Sequence, residues 1–185
     1  MPHGNGRGHD EPPGRALEVA MLELARNAAL IAATLATGLM AGLFYAFAVS
    51  VMPGLGRTGD RVFVDAMQKI NAAILNGWFA LAFGGALVLT ALAMALHIPG
   101  DGREPLPWTV AALVLYGAVL VITFAVNVPL NNELDAAGDA EGIADVAAVR
   151  ERFETRWVRW NIVRAVLNTG ALGALTWALV LRGRT

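Results

Sequence analysis

Four long stretches of this chain carry almost no charge, and the charged residues crowd into the segments between them. Each stretch exceeds the roughly 18 apolar residues that distinguish a membrane-spanning helix from a buried core helix. The first covers about residues 28–51 and is expected to stop at Met52-Pro53-Gly54, because Pro and Gly readily end a helix. The second covers about 70–98 and ends at Pro99-Gly100. The third, about 107–131, opens on Pro107-Trp108, with Pro preset for a first turn and Trp suited to a membrane interface. The fourth covers about 160–181. Because lipid admits only helices or closed barrels, the pattern predicts an all-α, four-helix integral membrane bundle.

The connections are short except for the one between Glu133 and Arg156. It begins with an acidic run, Glu133, Asp135, Asp139, Glu141 and Asp145, and then turns helical. Val146, Val149, Phe153, Trp157 and Trp160 recur at three- and four-residue steps while arginines take the other faces. This predicts an amphipathic helix at the membrane surface that leads straight into the fourth span. Residues 1–16, rich in Gly, Pro and charge, read as a disordered tail, and residues 17–185 as one transmembrane domain. Basic residues slightly favour the first and third connections, which leans those loops toward the cytoplasm. No internal repeat is visible by eye.

Composition supports the membrane reading. Hydrophobic residues make up 56% of the chain and charged residues 16%, with a mean hydropathy of +0.54. The net charge of −1 gives no reason to expect a nucleic-acid partner. Lys69 is the single lysine among the basic residues, a bias that reads as a GC-rich bacterial genome, and the protein is expected in the bacterial cytoplasmic membrane as a multi-pass protein. With no cysteine, thiol chemistry and thiolate metal sites are excluded. The three histidines do not have ligand spacing, so no metal and no cofactor is expected; His97, at the end of the second span, reads as an interfacial residue.

The informative residues are polar groups inside the apolar spans, where they are costly and usually functional. On the third span Thr123, Asn127 and Asn131 are four apart and share a face, while Pro129 leaves the carbonyl of Ala125 without its helical donor. The fourth span is entered through Trp157-Val158-Arg159-Trp160-Asn161-Ile162-Val163-Arg164, and Trp157, Asn161, Arg164 and Asn168 form one stripe. A snorkelling arginine accounts for Arg164 alone, whereas a polar cavity accounts for the whole stripe. The second span adds Gln68, Asn71 and Asn76, and the first adds Thr34, Gly38, Gly42 and Tyr45. In a four-span topology the relevant ends of all four helices share one membrane face, so these groups can converge in one pocket.

The pairing of Asn127-Val-Pro129-Leu-Asn131-Asn132 with Trp157-x-x-Trp160-Asn161-x-x-Arg164 resembles the DUF1772 family, four-span membrane proteins that include the anthrone oxygenases. The likeness runs from about Ala28 to Leu181. It implies a membrane-embedded oxygenase that oxidises an anthrone-like hydroxyaromatic with molecular oxygen and without metal or flavin. The residues fit such chemistry: Arg164, Asn127, Asn131 and Asn161 as donors to a developing oxyanion, with Trp157, Trp160 and Tyr45 stacking on a planar ring. Asn71 and Asn168 would complete the binding surface, and Glu133 is the candidate base. The alternative is a non-catalytic protein whose pocket holds a lipid, quinone or partner helix. A small transporter is a third reading; the spans hold no carboxylate for proton coupling, although a homo-oligomer with a continuous polar path would favour it. On every reading the partners are the bilayer and a small aromatic or lipophilic molecule.

Overall fold

The computed structural model describes residues 13–99 and 103–184, which build an all-helical membrane bundle with four spanning elements. Residues 1–12 of the expected tail lie outside the described residues, and residues 13–16 already belong to the first turns of a helix. That helix, α1 (Pro13–Ala46), continues through a π turn (Phe47–Val51) into α2 (Met52–Leu55). Then come α3 (Asp60–Ala73), α4 (Gly77–Leu96) and α5 (Leu106–Ile122). A second π turn (Thr123–Asn127) joins α5 to α6 (Val128–Ala136), and α7 (Val146–Arg182) closes the chain.

The two π turns have one cause. Each ends one residue before a Met-Pro or Val-Pro pair, Met52-Pro53 and Val128-Pro129. A proline in a regular helix drives its ring into the carbonyl four residues back. A widened turn relieves that clash, and the preceding amide reaches five residues back instead: Met52 donates to Phe47 O and Val128 to Thr123 O. Proline therefore bends these spans without ending them, and the first runs on to Leu55. The local sequences are alike as well, Phe47-Ala-Val-Ser-Val-Met-Pro53 against Phe124-Ala-Val-Asn-Val-Pro129, a short internal similarity that overall hydropathy hides.

The second span departs from expectation. One helix over 70–98 was predicted, but α3 stops at Ala73 and α4 starts at Gly77. Asn76 sets the break: its backbone is extended and its side chain caps α4 by accepting from the Phe79 amide at 3.0 Å. Freed from the span, α3 lies across the end of the bundle. Its buried residues Phe63, Val64 and Met67 pack on Leu130, Leu134, Phe153 and Trp157. Gln68 ties it further, donating to Leu134 O and Gly138 O, both at 2.9 Å.

The amphipathic segment before the fourth span is continuous with it, as its periodicity predicts, in one helix of 37 residues. Asp145 caps this helix by accepting from the Ala148 amide. Arg150, on its second turn, holds down the α2–α3 connection: it donates to Gly56 O, Thr58 O and Asp60 Oδ1 at 2.9 Å, pairs with Glu154 at 2.6 Å and covers the Phe63 ring. Replacing Arg150 by Met keeps the stem but strands those acceptors. It should cost about 2 kcal/mol, on the scale of a charge-assisted hydrogen bond, read as a lower melting temperature in detergent.

α1 and α7 run antiparallel. Asn161 near one end of the contact donates to Phe44 O, and Arg182 at the other donates to Asn27 Oδ1. Alanines and small side chains along the seam (Ala33, Ala41, Ala165, Ala171) let the two backbones come close, as helix packing in lipid requires. At the other end of α4, His97 is fully buried in the bundle, with its Nδ1 2.7 Å from Ala93 O. Arg26 of α1 is buried too, donating to Leu96 O at the end of α4 and to Pro99 O just beyond it.

Candidate functional site

Where the membrane core meets the cluster under α3, the bundle encloses a cavity of about 750 Å3. That falls within the roughly 300–1,000 Å3 typical of small-molecule sites. Its wall is aromatic, formed by Phe44, Phe47, Phe79, Phe83, Phe124 and Trp157. Leu75 and Phe124 line it although they are 80% and 60% exposed, so the cavity opens on the bundle surface between the α3–α4 break and the second π turn.

Arg164 is the centre of the polar lining. It is buried two turns past Trp157 on α7, and its guanidinium lies over the rings of Phe44 (4.5 Å to the centroid) and Trp157 (5.5 Å). One Nη donates to Asn161 Oδ1 at 3.0 Å and the other to Thr123 Oγ1 at 3.3 Å. Asn161 is thereby committed at both ends of its amide, since its Nδ2 donates to Phe44 O at 3.1 Å. The π turn brings Thr123 and Asn127 into the bundle together. Asn127 Nδ2 donates to Trp157 O at 3.4 Å, and Trp157 Nε1 donates to Asn131 Oδ1 at 2.7 Å. Three buried polar atoms around the cavity, Arg164 Nε, Asn127 Oδ1 and Asn71 Nδ2, have no hydrogen-bond partner among the described residues. Two are donors and one is an acceptor.

The structure thus gathers Arg164, Asn127, Asn131, Asn161, Trp157 and Asn71 around one cavity. Four expected residues fall elsewhere. Tyr45 is 59% exposed on the outer face of α1, and the neighbouring Phe44 and Phe47 take the inward positions. The stripe chosen for α1 was one position off; the buried one is Ala33, Thr37, Met40, Ala41 and Phe44. Trp160 is half-buried and outside the lining, because Asn161, four residues from Trp157, continues the inward stripe. Asn168 is fully buried on that stripe but beyond the cavity.

Glu133 is the fourth. It is exposed and does not line the cavity; Asp135 does. The four-residue step Asn127, Asn131, Asp135 carries this signal, and Glu133, two residues from Asn131, points to another side. Asp135 is itself exposed at the rim. Among the described residues, no three His, Asp or Glu side chains gather as a metal ion would need.

No curated protein and no solved structure matches the chain. The family model for anthrone oxygenase matches residues 76–174, just over half of the sequence, and includes every cavity residue contributed by α4 through α7. The chain belongs to the anthrone oxygenase family, the same DUF1772 family that its paired motifs resemble.

Proposed function

We propose that this protein is a membrane-embedded, cofactor-independent oxygenase that converts an anthrone-like hydroxyaromatic to the corresponding quinone. The observation that carries the reading is a buried arginine, its Nε unpartnered, in the lining of an aromatic-walled cavity. An anthrone loses a proton from its central methylene to give an electron-rich enolate that can itself reduce molecular oxygen. One atom of O2 becomes the new carbonyl, the other leaves as water with the two methylene hydrogens, and the carbon is oxidised while oxygen is reduced. The chain's own task is then to favour the enolate and to hold it.

Arg164 serves the enolate oxygen through Nε and its positive charge, in surroundings where charge is poorly screened. Asn161 and Thr123 fix the guanidinium by occupying its two Nη groups. Asn127 Oδ1 accepts from a ring hydroxyl and Asn71 Nδ2 donates to a second oxygen, while Trp157 and the phenylalanines flank the rings. Asp135, in place of Glu133, is the carboxylate at the rim that could pass a proton to solvent. An opening on the bundle surface suits a substrate dissolved in the bilayer, and the host membrane is the bacterial cytoplasmic one. With 18O2, the product should carry one heavy atom at the new carbonyl, and water should carry the other. A quinone without the label would end this reading.

One observation favours binding without chemistry. The cavity's carboxylate, Asp135, is exposed, so a solvated group would have to act as base. In that reading the cavity holds a lipid or quinone, and an anthrone would bind without protein-dependent oxidation.

A further inference from the structure

Thr37 and Asn168 stand apart from the cavity and from the chemistry proposed for it. Asn168 is fully buried, and neither its Oδ1 nor its Nδ2 has a hydrogen-bond partner. Thr37 is fully buried too, with an unpartnered Oγ1. This is unusual for the molecule: Thr34, Thr90, Thr109, Thr123, Thr169 and Thr176 each donate to a carbonyl three or four residues back on their own helix. That self-bond is the ordinary way to hide a hydroxyl in a membrane helix. Thr37 does not make it.

The register of α1 on α7 carries these two residues toward each other. The register is anchored where Asn161 Nδ2 donates to Phe44 O and Arg164 covers the Phe44 ring. Thr37 lies seven residues before Phe44, and Asn168 seven residues after Asn161. Seven residues are two turns, so each returns to the same helix face about 10.5 Å further along, and the antiparallel arrangement carries both in one direction. The neighbours one turn away are small: Ala33 and Ala41 on α1, Ala165 and Ala171 on α7.

A buried amide offers two donors and a two-lone-pair acceptor, and a hydroxyl facing it can satisfy only part of that. Leaving the remainder bare inside a membrane bundle is costly. We infer that Thr37 and Asn168 form an internal water-binding site between α1 and α7, separate from the reaction cavity. At least one water bridges the Thr37 hydroxyl and the Asn168 amide. Arg164 lies one turn from Asn168 on the same helix. The site is a hydration site for two polar side chains and does not depend on which molecule the cavity takes.

Synchrotron hydroxyl-radical footprinting of the full chain in nanodiscs tests this, because radicals born from a buried water oxidise the side chains beside it. Met40, buried on the same face of α1 as Thr37 and outside the cavity lining, is the reporter, and Met67, buried in the apolar cluster under α3, is the dry reference. Met40 should be oxidised several-fold faster than Met67, and the Thr37→Val, Asn168→Leu double variant should bring it down to the Met67 rate. Met40 labelling no faster than Met67 in the native protein would overturn the inference, as would an unchanged Met40 rate in the folded double variant. Should the double variant fail to fold, Thr37→Val, which is isosteric, must still lower the Met40 rate; otherwise the site is refuted.

Discussion

Replacing Arg164 by Leu should lower the turnover of an anthrone by about 100- to 1,000-fold, the loss of about 2.7–4 kcal/mol that follows removal of one oxyanion donor. The reason is geometric as much as electrostatic. The guanidinium is held by Asn161 Oδ1 and Thr123 Oγ1 and lies over the Phe44 and Trp157 rings, which leaves Nε as the unpartnered donor. Leucine fills comparable space, so the bundle should stay folded, and the effect should appear in kcat more than in KM. Lysine should not restore activity. Its ammonium keeps the charge, but it cannot satisfy Asn161 and Thr123 with one planar fork while leaving a third donor free. A fully active Arg164→Leu protein would show that the guanidinium does not serve the reaction.

The second large effect should come from filling the cavity. Gly84 lines it from α4, and a Cβ built there meets no atom within 4 Å. Phenylalanine at this position has room for its Cβ and should take up cavity space that a planar ligand would use. Substrate affinity should fall more than tenfold, as expected when overlap costs more than about 1.4 kcal/mol. Gly84→Ala, which adds only a methyl group, should change little. Equal behaviour of the two variants would mean that the ligand does not pass or occupy the α4 side.

The contrast between Phe44 and Tyr45 explains what the sequence could and could not reveal. The spans themselves are legible because charge is excluded from them, and the α7 stripe is legible because Asn161, Arg164 and Asn168 are polar in an apolar helix. On α1 there is no such contrast. Lipid is as apolar as the bundle core, so an inward Phe44 and an outward Tyr45 look alike to any hydrophobic pattern. The break at Asn76 was written as an N-cap in a run that otherwise reads as one helix, and hydropathy averages over it. Pro53 and Pro129 were legible as perturbations, but their outcome, a π turn that turns Thr123 and Asn127 inward together, depends on how the backbone relieves the clash. Asp135 was available from the same four-residue step that found Asn127 and Asn131. Proximity of Glu133 to the asparagine pair along the chain was the weaker guide, because neighbours in sequence point to different sides of a helix.

The central claim, that the chain's own cavity residues suffice to drive oxidation of a hydroxyaromatic by oxygen, is tested most directly by oxygen uptake. The protein is purified in detergent or nanodiscs, treated with chelator until free of iron and copper, checked for the absence of flavin absorbance, and given an anthrone in air-saturated buffer. Oxygen consumption should rise in proportion to protein, at one O2 per quinone formed, and should fall to the buffer rate with Arg164→Leu. If a panel of anthrones gives no uptake above the protein-free rate, the oxygenase account is contradicted and the cavity is a binding site.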